Sequence, residues 1–133
     1  MIRYVFPLVL FGVFASVSAV SNAESELEQQ LLNSDDVRVH ARLLFTDSSD
    51  IRQRSLDWMR QRGKPDVIPV LIYTLRYVGD DGAKVSGLLK SLTGVDNGSD
   101  WFKWMLWQQA HPEIKPFDGF AEFQSNLFSQ IDP

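Results

Sequence analysis

Val85, Leu88, Leu89 and Leu92 stand at the i, i+3, i+4, i+7 spacing that lines one face of a helix. Gly94 follows as a stop signal. The same period is visible, less cleanly, along much of the chain. "ESELEQQLLN" from Glu24 to Asn33 offers a short helix with Leu27, Leu31 and Leu32 as its face. In "SDDVRVHARLLF", Ser34 and two acids form a start signal, and Val37, Ala41, Leu44 and Phe45 fall at helical spacing. "TDSSD" breaks that helix and caps the next, Ile51 to Arg62, with Ile51, Trp58 and Met59 inward and Gly63 at its end.

Val67 to Val78 is apolar almost all round, with Arg76 and Pro69 as its polar edge. Such a segment is an inner helix. Asp66 is its expected cap, and Pro69 sits in the first turn, where a missing N–H costs nothing. Asp80 and Asp81 read as a turn plus cap for the leucine helix. "VDNGS" is a turn-rich loop, Asp100 to His111 an aromatic helix stopped by Pro112, and "PEIKPFD" an extended connector. Asp118 caps a last helix that aligns Phe120, Phe123, Leu127, Phe128 and Ile131. The count is five or six short helices with short connections and no convincing strand. It predicts an all-α domain of antiparallel neighbours.

The first 23 residues follow a different rule. Arg3 supplies a positive start, "YVFPLVLFGVFASV" an apolar run, and "SNA" a small-x-small cleavage site. Together these predict a signal peptide over 1–23, cleaved after Ala23. Pro7, Ser16 and Ser18 interrupt the run, which is short for a span, so no stable membrane span is expected after cleavage. No cysteine is present, which excludes lipid anchoring at a cysteine and leaves no disulfide. An exported chain held by packing alone fits a bacterial periplasm or the secreted pool. The mature domain is then 24–133, long enough to bury about 65% of its unfolded surface.

Without Arg3 the chain carries 12 basic and 17 acidic residues, net −5. Glu24 to Asp36 has five acids and no base, whereas Val37 to Lys64 has seven bases and three acids. That basic stretch reads as a solvated helix face able to guide an acidic partner. Net acidity and export argue against nucleic acid.

Two resemblances enter at this point. A short amphipathic helix, the Gly63-Lys64-Pro65-Asp66 turn and a more apolar inner helix resemble one HEAT-like repeat. Leu92-Thr93-Gly94, Gly98, Asp100, Trp101 and Trp104 resemble the ending of bacterial HEAT-like arrays. This implies helical hairpins in a right-handed stack. More specifically, Trp104, Trp107, His111, Pro112, Glu113, Ile114, Pro116, Phe117, Gly119, Phe120, Phe123, Leu127 and Ile131-Asp132-Pro133 are similar to the helical region preceding the main domain in an exported bacterial family, domain-of-unknown-function family 3179. There the chain continues into a larger domain. Here it stops after Pro133, so that domain is expected on a separate chain, or lost, or cut off. The family offers no catalytic residues to carry over.

Candidate chemistry is sparse. Three tryptophans, Trp101, Trp104 and Trp107, fall within about 120° of helix arc, with Phe102 and Leu106 on another side. They suit a core, a docking face, or an aromatic platform for a sugar or quaternary amine. His111 before Pro112 suits a helix end. Glu113 and Asp118 lie near it without a metal-ligand spacing. Ser55 and Ser86 lack a nucleophile elbow, and no phosphate loop occurs. Neither cofactor nor metal is expected. The resulting expectation is a non-enzymatic exported module docking a protein partner or a missing downstream domain. Trp104, Trp107, Phe117 and Phe120 are its expected interface residues. The alternatives are an accessory part of a cell-envelope enzyme using His111, Glu113 and Asp118, and an inactive truncated remnant.

Overall fold

The segment without a polar face takes the innermost place. All seven residues of Ile68–Thr74 are buried. In this computed structural model the described residues are 23 and 26–131, with side chains described as far as Leu127. The expected signal peptide thus lies outside the described residues but for Ala23. Two units are present, Met1–Asn33 and Ser34–Pro133. In the first, residues 26–31 form a helix, α1, and Leu32 N–H donates to Glu28 O at 3.2 Å.

The second unit holds six α-helices: α2 (Val37–Leu43), α3 (Ser49–Arg62), α4 (Ile68–Thr74), α5 (Gly82–Thr93), α6 (Trp101–Ala110) and α7 (Phe120–Ile131). Short 3-10 turns at Pro65–Val67 and Gly79–Asp81 precede α4 and α5. No strand occurs among the described residues, so the all-α expectation holds. α4 packs on α5 and α6, α5 also packs on α3, and α2 touches both α3 and α7.

Local chemistry explains most helix ends. Ser48 Oγ accepts Ile51 N–H at 3.2 Å, so α3 starts two residues earlier than the apolar stripe suggested. Asp100 Oδ1 accepts Lys103 N–H at 3.1 Å and starts α6. Gly63 (φ 65°) and Gly94 (φ 78°) end α3 and α5 in the left-handed conformation, where a Cβ is penalised. On α5, Val85, Leu88 and Leu89 are fully buried and Leu92 partly. Burying such side chains contributes about 1.5–3 kcal/mol each.

Four expectations need correction. Ser34 does not cap α2: its Oγ accepts Asp36 N–H at 3.0 Å, and Asp36 is the cap, its Oδ1 accepting Arg38 N–H at 2.9 Å. The inner helix ends at Thr74 rather than Val78, because the backbone tightens: Leu75, Arg76 and Tyr77 donate to carbonyls three residues back. Asp66 caps nothing, since its carboxylate is held by both terminal nitrogens of Arg62, at 2.5 and 2.7 Å. Asp81 makes no cap bond either; it is buried and paired with Arg52 at 2.5 Å. On α7, Phe123 and Leu127 are buried, while the Phe128 and Ile131 side chains lie outside the described residues.

Candidate functional site

Trp104 is the largest fully buried side chain of the fold. It points from α6 into the core that α4 and α5 form. A buried indole needs an acceptor for its N–H. The Nε1–H donates to Gly98 O at 2.8 Å, so the loop before α6 folds back over the helix that follows it. Gly98 has φ 57°, a conformation that favours glycine.

From Trp104 the aromatic contacts run outward along α6. The Trp107 ring meets Trp104 edge-on, with centroids 5.7 Å apart, and stacks on His111 at 4.3 Å. His111 shares a hydrogen bond with Glu113, Nδ1 to Oε2, at 2.9 Å. That bond holds the Glu113 carboxyl below its ordinary range. Both side chains are solvent-accessible, and Asp118 is not hydrogen-bonded to either. On the other flank, the Arg76 guanidinium lies 4.6 Å above the Trp101 ring. Among the described residues no group of three or more His, Cys, Asp or Glu side chains could hold a metal.

The connector after α6 is tied back into the fold. Phe117 N–H donates to Asp66 O at 3.1 Å, on the turn before α4. The Phe117 ring is edge-on to Phe120 at 5.5 Å and to Phe123 at 6.2 Å. Of the four expected interface residues, Trp104 and Phe117 are therefore core, 0% and 4% exposed, while Trp107 and Phe120 are half-buried. The reason lies in the helix geometry. The side of α6 that carries Trp104 packs on α4, and that contact consumes its surface.

The surface that remains is on the opposite side of α6. Phe102 stands about 200° round the helix from Trp104, and Leu106 lies one turn beyond Phe102. They are 56% and 48% exposed. Sequence reasoning placed this pair on a separate side without assigning it a role. The useful signal was that two opposed apolar faces on one helix cannot both enter the same core.

No protein-family model, curated protein or solved structure matches the chain. Among the described residues no helix is long and apolar enough to cross a membrane.

Proposed function

We propose that the chain is a non-enzymatic helical interaction module, exported by a signal peptide cleaved after Ala23 and working in the bacterial periplasm or outside the cell. Its helices act as HEAT-like hairpins, related to the helical region of the exported family named above. The module docks a protein partner or a separately encoded downstream domain. One observation carries the reading: Phe102 and Leu106 are both about half-exposed, one turn apart on the same side of α6. Large apolar side chains grouped on a surface mark contact sites more often than scattered ones do. Of the aromatic residues expected at an interface, Trp107 on α6 and Phe120 at the start of α7 are half-buried.

The test is the solution mass of the purified protein by light scattering over a range of concentrations. The docking face predicts self-association or loss on hydrophobic resin that Phe102→Ser with Leu106→Ser relieves. A monomer at every concentration, with no partner recovered by in-cell crosslinking from a residue beside Phe102, would sink the proposal.

A further inference from the structure

Asparagines stand at positions 22, 33, 97 and 126, and only Asn97 is followed by a glycine. That pair lies in the turn between α5 and α6, where Asp100 N–H donates to Asn97 O at 3.4 Å. Asn97 is half-buried and Gly98 is exposed. A Cβ built on Gly98 would meet nothing within 4 Å, so the space a side chain would fill is open to water. A glycine in this place removes the bulk that otherwise keeps its nitrogen away from the preceding side-chain amide, and it gives the backbone the freedom to bring the two together.

Two contacts hold Gly98, and they differ in kind. Its N–H donates to Asp96 Oδ1 at 3.1 Å, and Oδ2 of the same carboxylate lies 3.6 Å from Lys90 Nζ on α5. Both of these side chains are exposed, so water can take their place. Its carbonyl, by contrast, accepts the N–H of the fully buried Trp104 indole at 2.8 Å. The next residue is also seated, since a Cβ on Gly82 at the start of α5 would come within 3.2 Å of Ser99 Cβ. The main chain after the Gly98 nitrogen is thus pinned to the fold, while the nitrogen itself is guarded by a surface carboxylate.

We propose that Asn97 is a site of spontaneous deamidation in the folded protein, with Asp96 as its brake and the Trp104 hydrogen bond as its casualty. When water displaces the Asp96 carboxylate, the Gly98 nitrogen attacks Asn97 Cγ. A C–N bond forms and closes a succinimide ring, the N–H proton passes to hydroxide, and the side-chain nitrogen leaves as ammonia. Water then opens the ring at either carbonyl. Opening at one leaves an ordinary aspartate at position 97. Opening at the other leaves isoaspartate, in which the main chain runs through the former side chain and is longer by one carbon. Both products add a negative charge beside Asp96. The isoaspartate form also inserts length directly before a residue whose carbonyl and successor are fixed, so Gly98 O is displaced from the indole N–H. A buried indole without an acceptor is destabilising.

The experiment is a time course on protein purified after expression of the full chain, held folded at mildly alkaline pH. Samples are digested at acidic pH and mapped by mass spectrometry, and isoaspartate is told from aspartate by electron-transfer fragmentation. The mass gain of a deamidation should appear at Asn97 well before Asn33 or Asn126. Asn97→Gln should abolish it, because the longer side chain would have to close a larger ring. Asp96→Ala should speed it about two- to tenfold, the range that the net contribution of one hydrogen bond corresponds to. Thermal melts confirm that both variants fold. Anion exchange then separates the modified chain by its added charge, and its isoaspartate fraction should have a lower urea midpoint than the parent. Asn97→Asp carries the charge without the longer backbone and should stay close to the parent. No conversion at Asn97 in the folded chain while the urea-unfolded chain converts, or faster conversion at Asn33 or Asn126, would overturn the site. A rate unchanged or slowed in Asp96→Ala would overturn the brake. An isoaspartate form as stable as the parent would overturn the link to Trp104.

Discussion

The His40 imidazole lies flat on the Trp58 indole, with ring centroids 3.8 Å apart and planes 8° from parallel. His40 is fully buried and shares a 2.7 Å hydrogen bond with Ser34 O through Nε2. A carbonyl only accepts, so Nε2 carries the proton and donates. Nδ1 is buried with no hydrogen-bond partner among the described residues. A second proton there would have no acceptor, and the cost of burying a charge adds to that. Burial is accordingly the main cause holding the His40 pKa below its ordinary 6.5; the Ser34 carbonyl, then Asp35 and Asp36, pull the other way. The Arg62 guanidinium lies on the Trp58 ring, 5.7 Å from its centroid.

The sign of the pH dependence follows. His40 in the unfolded chain takes up a proton near its ordinary pKa of 6.5, while the folded chain resists it. The neutral ring's contribution is complete above that pH and is lost as pH falls from it towards the depressed folded value. Urea midpoints measured at half-unit steps through this window should decline, and His40→Phe should flatten the slope. A slope unchanged by the substitution would mean that other groups carry it.

Trp104 tests the core. Trp104→Ser removes the largest buried side chain and strands Gly98 O without its donor. The expected loss is about 3–5 kcal/mol, as for large-to-small changes in well-packed cores. Trp104→Phe should cost less, because it keeps part of the volume and loses only the hydrogen bond and one ring. Chemical denaturation of both variants decides. A Trp104→Ser protein as stable as the parent would show that the indole is dispensable to packing.

The sequence was legible where structure is local. The α5 stripe, the glycine stops at 63 and 94 and the inner character of α4 all depend on neighbours within a few residues. Asp81, Asp66, His40 and Trp104 were not legible in the same way. Asp81 meets Arg52, 29 positions away, and Asp66 gives its carbonyl to Phe117. His40 meets Trp58 across the α2–α3 contact. A residue that can cap a helix can also pair across the fold, and composition does not say which wins. The aromatic run posed the same difficulty: spacing gave its faces, but which face α4 covers is a tertiary choice.

The Arg52–Asp81 pair shows how a side chain from the basic stretch becomes structural. Both groups are largely shielded from solvent, and Arg52 also donates to Thr46 O, so one guanidinium ties the α2–α3 loop to the start of α5. Asp81→Ala leaves a shielded cation without its counter-ion and should cost about 1–3 kcal/mol. Asp81→Ala combined with Arg52→Met should recover part of that, since no unpaired charge remains. A double-mutant cycle read by denaturant unfolding measures the coupling. Additive losses would mean that the pair contributes nothing specific.

His111 and Glu113 separate docking from chemistry. Their hydrogen bond is at the surface, at the end of α6, and His111 also stacks on Trp107. Glu113→Gln keeps the shape and removes the charge, and His111→Ala removes the ring. Because the pair is solvent-accessible and makes no hydrogen bond or ion pair with another described side chain, neither change should move the melting temperature resolvably. If the module only docks, Glu113→Gln should leave partner affinity unchanged, and His111→Ala should alter it only through the lost cover on Trp107, an effect that His111→Phe would restore. If the pair performs proton transfer on cell-envelope material, both His111→Ala and Glu113→Gln would abolish function while binding persists, and His111→Phe would rescue nothing. The rescue is the deciding result, because a stacking role needs only a flat ring, whereas an acid or base needs the nitrogen.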